Sequence, residues 1–191
     1  MALHDLARKL TYEDYVLIPD DGQRHEIIDG EHYVTAAPFL SHQRLAFLLT
    51  LRVGGFVETN RLGLFFFAPA DVLLSAYDVV QPDMFFISSE RAAIAGLKNV
   101  QGAPDLVIEI LSRSTHRLDG GAKLQAYERS GVREYWMFDL FKRGVQPWER
   151  TDEGLRPKPF LSAAAGDVLA SPLLPGFELP LAELFEHGFS R

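Results

Sequence analysis

Between Leu106 and Leu111 the chain runs Leu-Val-Ile-Glu-Ile-Leu, apolar at every position except one. A strand with one wet face alternates. A run that is apolar on both faces belongs to a central strand covered on both sides. The exception, Glu109, constrains the chain further. An isolated carboxylate there is costly to desolvate, so Glu109 has to be paired, protonated or bound to a cation. From Thr115 to about Ser130 the spacing turns helical, and Gly131 is the expected stop. Asp119, Lys123 and Tyr127 then fall at i, i+4 and i+8, one polar face of that helix. Arg133 to Phe138, containing Tyr135, Trp136, Met137 and Phe138, reads as the next strand. A buried acid followed by a lysine from the next helix is where chemistry is expected.

The 191 residues suit a single domain with a substantial core, about 11–148, followed by a hairpin and tail over 149–191. The hydrophobic share of 47% marks a folded chain, not a disordered one. Cysteine is absent, which excludes disulfides and thiolate zinc sites and fits a reducing cytoplasmic setting. The opening MALHDLARKLTYEDY lacks the apolar core of a signal peptide. No run approaches the roughly 18 apolar residues of a membrane span, so no membrane partner is expected. The net charge of −7 argues against a chain that coats nucleic acid non-specifically. A local basic cleft is still compatible with it.

In chain order, Thr11 caps a short helix, with Asp14 at its third position. Arg24–Ile28 and His32–Ala36 are two strands joined by the tight turn Asp29-Gly30. Ser41 opens the longest helix, to about Asn60, with Leu45, Leu49, Val53 and Phe56 as its apolar stripe. Gly54-Gly55 signals close packing or a bend. Strands follow at 62–67 and 71–75, then one strand from Val79 to Ile87, then a small helix over 88–96. Beyond Asp139 come a hairpin turned by Asp152-Glu153-Gly154, a loop at 163–166, and a short helix at 181–185.

Asp83 follows a proline beside an apolar run, and Glu109 lies within another. Two carboxylates from neighbouring strands can share a hard divalent cation such as Mg²⁺, which takes oxygen ligands. Asp105 competes for the first position. Four strand residues hold it roughly 13 Å from Glu109, too far for one ion. Lys123 would add a cation to position water and offset charge developing on a phosphate. A structural ion pair between Glu109 and Lys123 or an arginine explains the same residues equally well. His42 and His116 are isolated, with no metal-ligand spacing to another histidine. Gly120-Gly121-Ala122-Lys123 lacks the spacing of a phosphate loop. The pairs and triplets Phe65-Phe66-Phe67, Phe85-Phe86 and Tyr135-Trp136 read as core, not as base-stacking platforms.

An ordered series of motifs adds to this reading. HEIIDG (25–30), SHQ (41–43), VVQPD (79–83), PDLVIEILSRST (104–115), LDGGAKLQAYERSGVREYW (118–136) and Asp139 together resemble a bacterial family of "putative restriction endonucleases". That family lies within the PD-(D/E)XK nuclease superfamily, and the resemblance runs over about 11–148. It implies an α/β fold with a restriction-endonuclease-like core, a mixed β-sheet flanked by α-helices. It also implies Mg²⁺-dependent hydrolysis of DNA phosphodiester bonds, with Mn²⁺ as a substitute. Asp83 and Glu109 match the metal ligands. The lysine expected two residues after the acid is replaced by Leu111. The resemblance moves that role to Lys123. Glu26 resembles a further upstream acid, although a solvated surface glutamate fits its position just as well. Arg113, Arg117 and Arg129 are candidate phosphate contacts. The expected protein is a metal-dependent endodeoxyribonuclease, with a homodimer as one way to cut both strands. A non-catalytic nucleic-acid-binding or regulatory domain on the same fold is the alternative, and RNA or branched DNA stays open as substrate.

Overall fold

The computed structural model describes residues 8–112 and 116–186. The chain opens with α1 (Tyr12–Tyr15), whose cap is closed by the Asp14 carboxylate accepting from the Thr11 N–H at 2.9 Å. A hairpin follows, β1 (Arg24–Ile28) and β2 (Glu31–Thr35). Its turn takes Asp29 and Gly30 to φ of 52° and 79°, the left-handed pair that matches strand twist in a two-residue hairpin. Next come α2 (Leu40–Leu49), a wide π turn at Thr50–Gly54, and α3 (Gly55–Asn60), one continuous helical run.

Strands β3 (Gly63–Phe67), β4 (Val72–Ser75), β5 (Asp78–Val80) and β6 (Met84–Ser88) lead to a 3₁₀ segment, Ser89–Ile94, and β7 (Val100–Gln101). The central strand is β8 (Leu106–Leu111). After it come α4 (His116–Leu118), a second π turn at Asp119–Lys123, α5 (Leu124–Ser130), and β9 (Glu134–Asp139). The C-terminal part holds β10 (Gly144–Thr151), β11 (Gly154–Pro157), β12 (Leu161–Ser162), β13 (Val168–Ala170), β14 (Glu178–Pro180) and α6 (Leu181–Glu186).

Two sheets carry the fold. The larger runs β11-β10-β9-β8-β6-β3, with β12 added on β10, and the smaller runs β2-β1-β5-β4-β7. Within the larger sheet β8 and β9 are parallel, and the remaining pairs are antiparallel. A parallel pair needs a crossover, and the helical run 116–130 supplies it. The result is a mixed α/β architecture, as the sequence led us to expect.

Residue parity on β8 sorts the core. Leu106, Ile108 and Ile110 face one cluster, with Leu45, Leu49, Val53 and Val57 of the long helix and Leu169, Phe177 and Leu184 of the C-terminal part. Val107 and Leu111 face the other, with Ala126, Tyr127 and Val132. Burial on both faces is what the uninterrupted apolar run requires. Glu109 has the parity of Val107 and Leu111, so it looks toward the helix carrying Lys123.

Three expectations are corrected. The stretch 79–87 is not one strand: β5 belongs to the smaller sheet and β6 to the larger, and the chain changes sheet at Gln81-Pro82-Asp83. Pro82 has no N–H to give a ladder. The N–H groups on either side go to carboxylates instead, Gln81 to Glu26 at 2.8 Å and Asp83 to Glu109 at 3.2 Å. The long helix buries Val57 in full while Phe56 is only partly covered. The π turn adds a residue, so the stripe continues in steps of four through 45, 49, 53 and 57. Gly54 in that turn lies against the Phe65 ring, where an added Cβ would come within 2.8 Å of Cδ1. Phe67 is 61% exposed, unlike the buried Phe85 and Phe86.

Asp105, the rival first ligand, serves the fold at the far end of the strand. Fully buried, it accepts from the Ser88 N–H at 2.8 Å and from Arg91 Nη1 at 2.9 Å. Burial alone would raise its carboxyl, but the Ser88 N–H and Arg91 outweigh it and hold it below the usual value. A depressed folded pKa gives stability that is fully present above the unfolded value, near 4, and is lost below it as pH falls through the lower folded value. Asp105→Ala should therefore cost about 3 kcal/mol at pH 7 by stranding Arg91 and the Ser88 N–H. The gap to wild type should narrow in urea titrations below pH 4.

Candidate active site

Four elements converge on the end of β8 that is away from Asp105. Register places Asp83 there directly. Met84 pairs with Ile108 and Phe86 with Leu106, so continuing the antiparallel ladder by one residue sets Asp83 opposite Glu109. From β1, alternation sends Arg24 and Glu26 to the same side. From the crossover helix, the π turn brings Asp119 and Lys123 inward, with Tyr127 one turn later.

Lys123 is the hub. Its Nζ lies 2.9 Å from Glu26 Oε1, 3.0 Å from Glu109 Oε1 and 3.6 Å from Asp119 Oδ1. All four residues are at most 2% exposed. The Tyr127 hydroxyl also donates to Glu109 Oε1, at 2.9 Å. The face Asp119–Lys123–Tyr127 is therefore polar but buried, turned to the strand and not to water. Glu26 is only 1% exposed, which overturns the reading of a solvated surface glutamate.

Asp83 sits beside this cluster with different partners. Its Oδ1 accepts from both terminal nitrogens of Arg24 at 3.0 Å. Its Oδ2 accepts from the Ile110 N–H at 2.8 Å and lies 3.0 Å from His42 Nε2. The sequence reading missed Arg24 and His42. Arg24 was within reach of strand alternation counted back from Glu26. His42, placed in the first turn of α2, had no local signal beyond its motif.

Charge sets these groups apart. Burial pushes the Glu109 carboxyl up to about 8 against the pull of Lys123, and Asp83, Asp119 and Glu26 push the same way as burial. Burial would lower Lys123, but Glu109, Glu26 and Asp119 outweigh it, so the ammonium holds its proton firmly. For Asp83, burial works upward and is overcome by His42, Arg24 and the Ile110 N–H, which hold it below the ordinary carboxylate range. Asp83 is thus held ionised, while burial and its acidic neighbours push Glu109 toward the neutral form. Its neighbour Glu26 has one buried oxygen, Oε2, with no hydrogen-bond partner. Among the described residues, no three His, Cys, Asp or Glu side chains are gathered as a metal site.

The cluster forms the floor of a cleft of about 820 Å³. Arg24, His42, Asp83, Glu109, Asp119 and Lys123 all line it. Two of the candidate phosphate contacts lie elsewhere: Arg129 pairs with Asp78, and Arg117 is exposed beside a separate hollow under β2. Arg113 falls outside the described residues.

An acid pair opposed across two strands, with a helix-borne lysine, on a mixed sheet flanked by helices defines a restriction-endonuclease-like domain. The family model described as "Putative restriction endonuclease", Uma2, matches residues 12–182, and the chain belongs to that family. A crystal structure of a "putative nuclease belonging to DUF820" from Anabaena variabilis has the same fold, with a TM-score of 0.75 at 17% identity. That match covers 93% of this chain and 98% of the other. No curated protein matches the chain. No helix among the described residues is long and apolar enough to cross a membrane.

Replacing Lys123 leaves three buried acids facing one another. Lys123→Met should lower stability by about 3–5 kcal/mol at pH 8 in EDTA, the cost of breaking a buried pair. The loss should shrink toward pH 5, where the acids can take up protons. Urea unfolding at the two pH values reads it. An unchanged midpoint at pH 8 would mean the ammonium contributes nothing to the cluster.

Proposed function

We propose that the protein is a metal-dependent endonuclease that hydrolyses DNA phosphodiester bonds in this cleft. The observation that carries the reading is Lys123 Nζ held 3.0 Å from Glu109, beside Asp83, at the floor of an open cleft. The donor set fits a hard divalent cation in kind. It is all carboxylate oxygen, its acids outnumber the cations nearest them, and Glu26 Oε2 is buried without a partner. Asp83 and Glu109 would hold Mg²⁺ or Mn²⁺, with Glu26 in support. A divalent cation supplies Lewis acidity toward phosphate oxygen and a more acidic water.

The chain's own groups have distinct parts. Arg24 and His42 fix the Asp83 carboxylate in its ionised form and in one rotamer. Glu109 would hold the cation together with Asp83 and so stay ionised while it is bound, and the proton of the attacking water leaves to solvent through the open cleft. Lys123 sets its positive charge where a phosphate oxygen gains negative charge as the new P–O bond forms and the bond to the leaving sugar oxygen breaks. The lysine acts through the position of its charge, so a helix can supply it as well as a strand.

One observation favours the alternative, a non-catalytic nucleic-acid-binding domain: both Asp83 oxygens already have protein partners. A time course on supercoiled, linear and single-stranded DNA and on RNA, with Mg²⁺, Mn²⁺ or EDTA, decides between them. Cleavage is expected with either metal and none with EDTA. Asp83→Asn and Lys123→Met should each lose about 10²-fold or more, the scale of one electrostatic stabiliser. Binding without cleavage under every condition would replace the hydrolase with the binding domain. Mg²⁺ or Mn²⁺ should also raise the melting temperature of wild type and not of Asp83→Asn. An equal rise in the variant would place the metal elsewhere.

A further inference from the structure

We propose that the walls of the cleft stack unpaired nucleotides, so that the substrate is a single strand or a locally opened duplex, a reading that rests on the phosphodiesterase function above. Three phenylalanines line the same cleft as Asp83, Glu109 and Lys123. Phe39 is 76% exposed, Phe47 53% and Phe67 61%. They come from the residue before α2, from the last turn of α2 and from the end of β3. Single exposed apolar residues are ordinary on a protein surface. Three aromatic rings lining one cleft above a charged floor are a surface kept for a ligand with flat apolar faces. The Arg44 guanidinium lies 5.6 Å from the centroid of Phe47, which extends that ring with a second planar group.

Base chemistry selects the occupant. In a duplex the faces of the bases are covered by their neighbours, and only edges and phosphates are on offer. An unpaired base presents a free face, and aromatic stacking holds it with little regard to sequence. The charge balance points the same way. The chain carries −7, and the cations at the floor, Arg24 and Lys123, are engaged by carboxylates. A grip made of phosphate contacts alone, as shape recognition of a duplex needs, is poorly supplied here. A second copy of the chain is the competing occupant. A two-fold contact through this cleft would set one acidic floor against another, which like charge opposes.

The test is equilibrium binding in EDTA, read by fluorescence anisotropy, with a labelled single strand and the same strand in a perfect duplex. Wild type should bind the single strand at least about tenfold more tightly. Phe39→Ser/Phe67→Ser should lose about tenfold or more on the single strand and little on the duplex, the scale of stacked bases removed. Phe39→Trp/Phe67→Trp should retain the affinity. Both rings are exposed, so the fold should survive, and a thermal melt checks it. Equal binding of the two forms, or unchanged binding by the serine variant, overturns the proposal. So does sedimentation showing a dimer that dissociates in the serine variant while strand affinity stays the same. Adding Mg²⁺ to the bound complex tests hydrolysis separately. A strand that binds by stacking and is not cut overturns the nuclease reading and leaves this one standing.

Discussion

One buried ammonium holds the site together. Lys123 reaches Glu26 on the hairpin, Glu109 on the central strand and Asp119 in its own helix. Taking these charges out of water costs several kcal/mol each, and only close geometry and further hydrogen bonds return that cost. The surroundings supply them. Tyr127 and the backbone N–H groups of Gln81 and Asp83 all donate into the same acids. The sheet change at Pro82, the position of the hairpin and the docking of the crossover helix therefore depend on one another through the carboxylates they share.

The two π turns fit this dependence. A regular helix drifts off a four-residue repeat within a few turns. The wider turn at Asp119–Lys123 keeps 119, 123 and 127 pointing inward together, and the turn at Thr50–Gly54 keeps 45, 49, 53 and 57 on one stripe. Such turns often mark functional places in helices. Here the first aligns the ionic cluster. The second keeps α2 seated, and α2 carries both His42 and the cleft wall with Phe47.

Leu111, two residues after Glu109, packs in the core beside Val107 and Met137. The helix-borne Lys123 occupies the space next to Glu109. Asp83 is held separately, by the Arg24 guanidinium and by contact with His42 Nε2. Two neighbouring acids thus experience opposite environments, one held ionised and the other pushed toward neutrality. That division follows from the different partners each carboxylate has within the protein.

Sequence alone determined what depends on local period and on single residues that break it. The doubly apolar run specified a central strand, Asp29-Gly30 the hairpin, Gly131 the helix stop, and Glu109 the need for compensation. The i, i+4, i+8 spacing put Lys123 and Tyr127 with Asp119 before any contact was known. What only the tertiary structure decided are pairings across long separations: Arg24 and His42 on Asp83, 59 and 41 residues away, the burial of Glu26, and the sheet change at Gln81–Asp83. Exposure of Phe67 within an otherwise core-like triplet is of the same kind. Local pattern says which face a side chain takes. Whether that face meets a helix, a carboxylate or water is fixed by the elements that pack there, and those come from distant parts of the chain.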